Sequence, residues 1–157
     1  MKKTISMLCV LLSTVLLFAS CKSADPAAAI YGEWVENEQN CLFIFNEDGS
    51  CYFYKDADDL SDNYYVGDEM LVLNGQEALD DLGITTEEAA RIDLYKDASK
   101  VYSIKLYYTG LFSEGTDKSD KIAEGAYDWY MFTLTGDGTA VAVNMNTFSI
   151  LELTKVS

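Results

Sequence analysis

The 157-residue chain contains no histidine, a single proline and few basic residues. Without histidine, the Ser-His-Asp and Cys-His catalytic arrangements are excluded, as is every metal site built on imidazole. Eleven Lys and Arg residues oppose 26 Asp and Glu residues, which gives a formal net charge of −15. Because nucleic acids and anionic lipid surfaces are bound through Lys and Arg, this charge argues against both as electrostatic partners. The chain is nevertheless 49% apolar and 13% aromatic, which favours a folded core over disorder.

The first 21 residues have the features of a bacterial export signal. Two lysines follow the initiator methionine, and the apolar run at residues 5–18 is too short for a comfortable transmembrane helix. The run leads into Phe18-Ala19-Ser20-Cys21, which resembles the lipobox of bacterial lipoproteins, although that family usually has Leu where Phe18 stands. In the family the cysteine thiol receives diacylglycerol. An ordinary secretory signal, with Cys21 placed by chance, is the alternative interpretation.

The lipobox resemblance implies three segments: a signal peptide at residues 1–20, a lipidated tether at residues 21–29 and a folded domain at residues 30–157. It also implies export, with the domain facing the cell exterior or the periplasm and held at a membrane by lipid on Cys21. Two or more acyl chains anchor a protein stably where one does not. The residues after the signal are enough for one domain with one core.

Alternation of apolar and polar residues with a period of two dominates the domain and predicts eight or nine short β-strands. The predicted strands cover residues 31–36, 41–46, 50–55, 64–67, 69–74, 101–109, 127–135, 139–145 and 148–156. Two short helices interrupt them: residues 76–82, ended by Gly83, and a helix begun by Thr85, where Glu88 completes a capping box. This helical pair could plug or cover one end of a barrel. Residues 111–126 are predicted to form a mobile loop.

Three segments of the domain resemble lipocalin-like (calycin) barrels. Residues 30–34 contain their Gly-x-Trp first strand, residues 45–50 look like the following hairpin, and residues 153–156 look like the terminal strand. The resemblance implies a mainly β fold, an antiparallel up-and-down barrel of about eight strands, here with a short helical insert. It also implies that Trp34 packs against a basic side chain of the last strand, a place that Lys155 occupies. This contact would close one end of the barrel.

The acidic segment at residues 56–62 raises the possibility of a calcium site. An EF-type loop beginning at Asp56 would need an oxygen ligand at Leu60, Gly at Ser61 and Glu at Gly67, and all three requirements fail. A solvated acidic loop is the simpler interpretation. The sequence therefore predicts no metal site.

Two cysteines, Cys41 and Cys51, remain in the domain. If residues 47–49 form the hairpin loop, Cys51 faces Phe45 and Cys41 lies near Lys55, about 13 Å away along the strands. A disulfide needs Cα atoms within about 7 Å. The sequence therefore predicts two buried free thiols, and a disulfide would require a different register.

Eleven tyrosines and seven phenylalanines either line a ligand cavity or fill the barrel. No catalytic motif is present, so the sequence predicts no enzyme and no cofactor. The leading hypothesis is a membrane-anchored lipoprotein whose barrel binds a small apolar ligand or a partner protein. The alternative is a structural or protein-interaction module with a filled barrel and no ligand.

Overall fold

The alternating segments form one antiparallel sheet in the computed structural model, which describes residues 25–156. The predicted signal peptide and Cys21 lie outside the described residues. The nine strands are β1 (Gly32–Glu36), β2 (Leu42–Phe45), β3 (Cys51–Tyr54), β4 (Tyr64–Asn74), β5 (Val101–Ser113), β6 (Thr116–Asp117), β7 (Tyr127–Gly136), β8 (Thr139–Asn144) and β9 (Ile150–Lys155).

Eight of these strands close into a barrel. Each strand pairs with the next along the chain except at β6, which extends one edge of β5, so that β5 pairs with β7. Pairing of β1 with β9 completes the ring, and β4 and β5 pair across the helical insert. The predicted mainly β, up-and-down antiparallel barrel with a short helical insert is therefore confirmed. Closure removes the exposed edges that would otherwise be free to pair with other chains.

Side chains fill much of the barrel interior. Trp34 meets Phe132 edge to face, with ring centroids 5.1 Å apart, and its indole N–H donates to the carbonyl of Ile30 at 2.8 Å. Phe43 and Phe45 continue the aromatic packing from the neighbouring strand. This region is a packed core, as is common for eight-stranded barrels.

The two helices, α1 (Gln76–Asp81) and α2 (Thr86–Arg91), lie against the outer wall. Leu79 and Ala89 bury themselves against Val101 and Met131, whose side chains point away from the barrel interior. The helices were expected to plug or cover one end of the barrel, and they do not plug it, because their apolar sides pack on an apolar patch on the outside of β5 and β7. The predicted capping box of Thr85 and Glu88 is confirmed.

Two predicted boundaries require correction. Residues 64–74 form one strand with a bulge around Gly67, rather than two strands joined by a turn, because β5 pairs with both halves. Residues 111–126 are not a simple loop. The first three extend β5, and the chain then returns through β6. In the 3₁₀ turn that follows, Ser119–Lys121, the Ser119 hydroxyl accepts from the backbone N–H of Leu111 at 3.0 Å.

Packing begins before the predicted domain boundary at residue 30. A 3₁₀ turn at Pro26–Ala29 is capped by the Asp25 side chain, and it buries Ala27 in the core. No helix within residues 25–156 is long and apolar enough to cross a membrane.

The hairpin formed by β2 and β3 has the predicted register, with Phe45 opposite Cys51. Cys41 and Cys51 are both buried and free, as predicted.

Candidate functional site

The two ends of the barrel are built differently. The packed end is defined by Ile30, Trp34 and Lys155, where β1 begins and β9 ends. The mouth is the opposite end, where β7 begins and where the connections at residues 37–41, 55–63, 114–126 and 145–149 lie. β1 and β9 are antiparallel partners, with Trp34 opposite Lys155 and Glu36 opposite Leu153, so the strand β1 leads from the packed end towards the mouth.

The packed end joins the first and last strands through Trp34 and Lys155. The two residues are register partners, and the Lys155 ammonium lies 5.5 Å from the centroid of the indole ring. Trp34 is 1% exposed. Lys155 also donates a long hydrogen bond, 3.5 Å, to the carbonyl of Ala29. The geometry is that of a cation–π contact, the arrangement implied by the resemblance to lipocalin-like barrels.

Two cavities open at the mouth. The smaller, of about 280 Å³, lies between β4, β5 and the connection to β7. The larger, of about 410 Å³, lies between β2, β3, β7 and the turn after β8. Asp128 is the one residue that lines both cavities. The aromatic residues around them are Phe43, Phe53, Tyr65, Tyr108, Tyr127 and Tyr130.

Asp128 is a partly buried carboxylate on the inner side of β7. The Tyr130 hydroxyl donates to it across a long 3.4 Å contact, and no Lys or Arg of the described residues forms an ion pair with it. Burial raises the pKa of Asp128, and the hydroxyls of Tyr130 and Tyr108 oppose that shift only in part. A carboxyl group with a raised pKa in a cavity is typical of functional sites.

Tyr108 lines the smaller cavity, and its hydroxyl is fully buried. The hydroxyl makes no hydrogen bond of ordinary distance and angle to another described residue, although it lies close enough to Asp128 to lower the pKa of that carboxyl. Burial raises the pKa of Tyr108 well above its ordinary value, so the hydroxyl keeps its proton and remains a donor. A buried hydroxyl without a partner costs free energy, about 1–3 kcal/mol, unless another molecule satisfies it.

The mouth contains no activated nucleophile. Cys41 lines the larger cavity, but burial, followed by the negative charge of Glu36, raises the pKa of its thiol to about 11. Cys51 lies deeper, and burial raises the pKa of its thiol to about 12. Since the thiolate is the reactive form of cysteine, the raised pKa values make both thiols weak nucleophiles near neutral pH.

Hydrogen bonds hold the acidic connection between β3 and β4, both within the connection and to the neighbouring connection between β1 and β2. The amide of Asn40 donates to Asp56 and Asp58, at 3.2 and 3.0 Å, and the Asp59 carboxylate accepts from Ser61. Within residues 25–156, no group of three or more Cys, Asp or Glu residues has the geometry to hold a metal ion.

A third cavity, of about 460 Å³, lies outside the barrel beside the 3₁₀ turn at Asp93–Tyr95. Its lysine, Lys100, is already placed 3.9 Å from Asp97. None of the residues that line this cavity has a buried side-chain polar atom without a hydrogen-bond partner.

Sequence reasoning did not single out Asp128 or Tyr108. A signal was present, because the alternation that puts Tyr130 and Phe132 inside the barrel also puts Asp128 inside, where a carboxylate is unexpected. Cys21, the predicted lipidation site, lies outside the described residues. Comparisons of the chain with protein-family models, with curated proteins and with solved structures found no match.

Proposed function

We propose that this protein is an exported, membrane-anchored lipoprotein whose lipocalin-like barrel binds a small ligand at its mouth. One observation carries the binding proposal: Tyr108 lines the same cavity as Asp128, and its fully buried hydroxyl makes no hydrogen bond of ordinary geometry to the described residues. A ligand that hydrogen-bonds to Tyr108 would satisfy a group that is otherwise costly to bury.

The shape of the interior favours a ligand at the mouth over one deep in the barrel. The packed end is filled by aromatic rings, with Phe132 in contact with both Trp34 and Phe45. The cavities at the mouth, of about 280 and 410 Å³, are at the small end of the usual range for ligand sites. The ligand is accordingly a small molecule with an apolar body that contacts aromatic rings.

Anchoring through Cys21 would turn the mouth away from the membrane. The described chain enters the fold at Asp25, four residues after Cys21 and next to the packed end. Four residues reach at most about 14 Å, so the packed end would lie closest to the lipid. The mouth would then face the surrounding medium, and the ligand would be captured from there.

Native mass spectrometry of the mature protein, released from detergent micelles, tests the binding proposal. We expect a small-molecule adduct on the wild-type protein and a clear loss of that adduct in Tyr108→Phe, which removes only the hydroxyl. Tyr54→Phe is the matched control, because Tyr54 lies on the outer wall and stacks on Tyr52. Equal adducts in both variants would contradict binding at the mouth, and so would a wild-type spectrum without any adduct from cells of several growth conditions.

Membrane fractionation tests the anchor. Cys21→Ser should release the protein from the membrane fraction and leave the folded barrel unchanged, because the acyl chains attach to that thiol. Cys41→Ser is the control, since its thiol lies inside the domain. A Cys21→Ser protein that still fractionates with the membrane would contradict lipid anchoring.

The alternative, an interaction module without a ligand, is favoured by a different observation. Phe148 and Ile150 are 74% and 69% exposed, and they lie together at the turn between β8 and β9. Exposed apolar groups of this kind often contact another protein. Phe148→Ser should then abolish cross-linking of the anchored protein to a neighbouring protein, while the small-molecule adduct stays unchanged.

A further inference from the structure

We infer that the ligand of the mouth is a small organic cation, an ammonium group carried on an apolar ring, with the ammonium placed against Asp128. This inference rests on the proposed function, because it names the chemical class of the ligand for the same site. It depends on three features of the mouth: an unpaired carboxylate, a set of aromatic rings and an unsatisfied hydroxyl.

The carboxylate of Asp128 has no counter-ion. The five ion pairs of the described residues all lie elsewhere, and the one lysine in the wall of the smaller cavity, Lys121, is exposed and forms none of them. A carboxylate that is partly removed from water attracts a cation more strongly than one at the surface. The same carboxylate repels an anionic ligand, so the ligand is expected to be cationic or neutral.

The aromatic rings favour a cation within those two classes. Tyr65 and Tyr108 stand on one side of Asp128, with their ring centroids 5.1 Å apart, and Phe43 and Tyr130 stand on the other side at 5.6 Å. Ammonium groups bind to aromatic faces through the ring quadrupole, and most strongly when water is excluded. The same rings offer an apolar surface for the body of the ligand.

The Tyr108 hydroxyl adds a directional contact. Its phenolic oxygen accepts no hydrogen bond from the described residues, so an ammonium N–H placed between Asp128 and Tyr108 would donate to it. The negative charge of the whole chain, −15, further raises the local concentration of cations near the mouth.

Three probes with the same benzene ring and different head groups test the inference: 2-phenylethylamine, 2-phenylethanol and phenylacetate. Each is titrated into the full mature protein at neutral pH and moderate salt, with ligand-detected NMR and protein-free micelles as the blank. We expect the amine to bind about tenfold more tightly than the alcohol, the difference that one charge-assisted contact provides. Phenylacetate should bind most weakly of the three.

Asp128→Asn should remove the advantage of the amine and leave the affinity for the alcohol unchanged. Asp120→Asn is the matched control, because Asp120 is an exposed carboxylate on the same end of the barrel. It removes the same charge without touching the cavity, so it should preserve the preference for the amine. Asp128→Glu, which keeps the charge, should retain part of that preference.

Equal binding of the amine and the alcohol would overturn the inference and leave the proposed function standing. An equal loss of amine binding in Asp120→Asn and Asp128→Asn would also overturn it, because the attraction would then come from overall charge. If none of the three probes binds, the cation inference fails. The proposed function is then tested separately, by whether native mass spectrometry finds a small-molecule adduct.

Discussion

The packed end and the mouth both contain aromatic residues, but they differ in whether their buried polar atoms have partners. At the packed end, the Trp34 N–H donates to Ile30 and the Lys155 ammonium covers the ring. At the mouth, the Tyr108 hydroxyl lacks a partner and Asp128 lacks a counter-ion among the described residues. The comparison indicates that polar groups are paired at one end and left unpaired at the other, which is the arrangement that the proposed ligand site requires.

The largest effect should come from Trp34→Ala. Removal of this buried ring leaves a cavity between Phe132 and Ile30, and we expect the free energy of unfolding to fall by about 3–5 kcal/mol. Phe53→Ala, at the mouth, should cost roughly half as much, because Phe53 is only partly buried. Urea denaturation of both variants measures the difference. Equal losses would remove the contrast between the two ends.

A cluster of paired polar side chains on the outer wall should stabilise the fold, as the paired groups of the packed end do. Ser103 and Lys105 donate to Asp81 at 2.6 and 2.8 Å, and the Lys105 ammonium lies 5.0 Å from the ring of Trp129. Asp81→Asn should lower the free energy of unfolding by about 1.5–3 kcal/mol at pH 7. The control Asp93→Asn, in an exposed ion pair with Lys96, should cost less than about 0.5 kcal/mol.

The Asp81 effect should depend on pH in a defined direction. Burial opposes ionisation of Asp81, but the hydrogen bonds from Lys105 and Ser103 outweigh it and hold its pKa below the ordinary value. The stabilisation is therefore complete above about pH 4 and is lost as the pH falls through the lowered pKa. A difference between wild type and Asp81→Asn that grows on acidification would contradict this account.

The contact between Trp34 and Lys155 should make the effects of their substitutions on the free energy of unfolding non-additive. In a double-mutant cycle of Trp34→Ala and Lys155→Ala, we expect a coupling energy of about 0.5–2 kcal/mol from urea denaturation. Strict additivity would mean that the lysine does not help to close the packed end, although it lies near the ring.

Asp128→Asn should raise the free energy of unfolding, whereas Asp81→Asn should lower it. Burial raises the pKa of Asp128, so its ionised form opposes folding. The variant should be more stable than wild type at pH 7, by less than about 1 kcal/mol because solvent reaches the site. The gain should vanish at acid pH, where both side chains are neutral. A clear loss of stability at pH 7 would show that Asp128 supports the fold.

The two thiols should differ in their rate of modification, because Cys41 lies at the mouth and Cys51 lies deeper in the barrel. Cys41 is 6% exposed in the wall of the larger mouth cavity, whereas Cys51 is fully buried against Gly67. In the native protein, a small thiol reagent should modify Cys41 slowly and Cys51 more slowly still, since both thiols have raised pKa values. In denaturant without reductant, both should react at once. Failure of both to react there would indicate a disulfide.

Local patterns predicted much of the fold because they depend on neighbouring residues. The period-two alternation placed most strands within a few residues, and the turn at residues 47–49 set the register of Phe45 against Cys51. The capping box of Thr85 and Glu88 also needs only four consecutive residues. The outer position of the helices was not predicted, because it depends on an apolar patch assembled from β5 and β7.

By itself, the sequence determined the class of fold, the inward face of most strands and the absence of histidine chemistry. The tertiary structure alone decided where the cavities lie and which polar groups remain unpaired. The alternation predicts that Asp128 and Tyr108 point inward, but their proximity at the mouth depends on the register between β5 and β7, in which Leu106 is opposite Asp128. That register is set by pairing between strands, which brings together residues 20 positions apart in sequence.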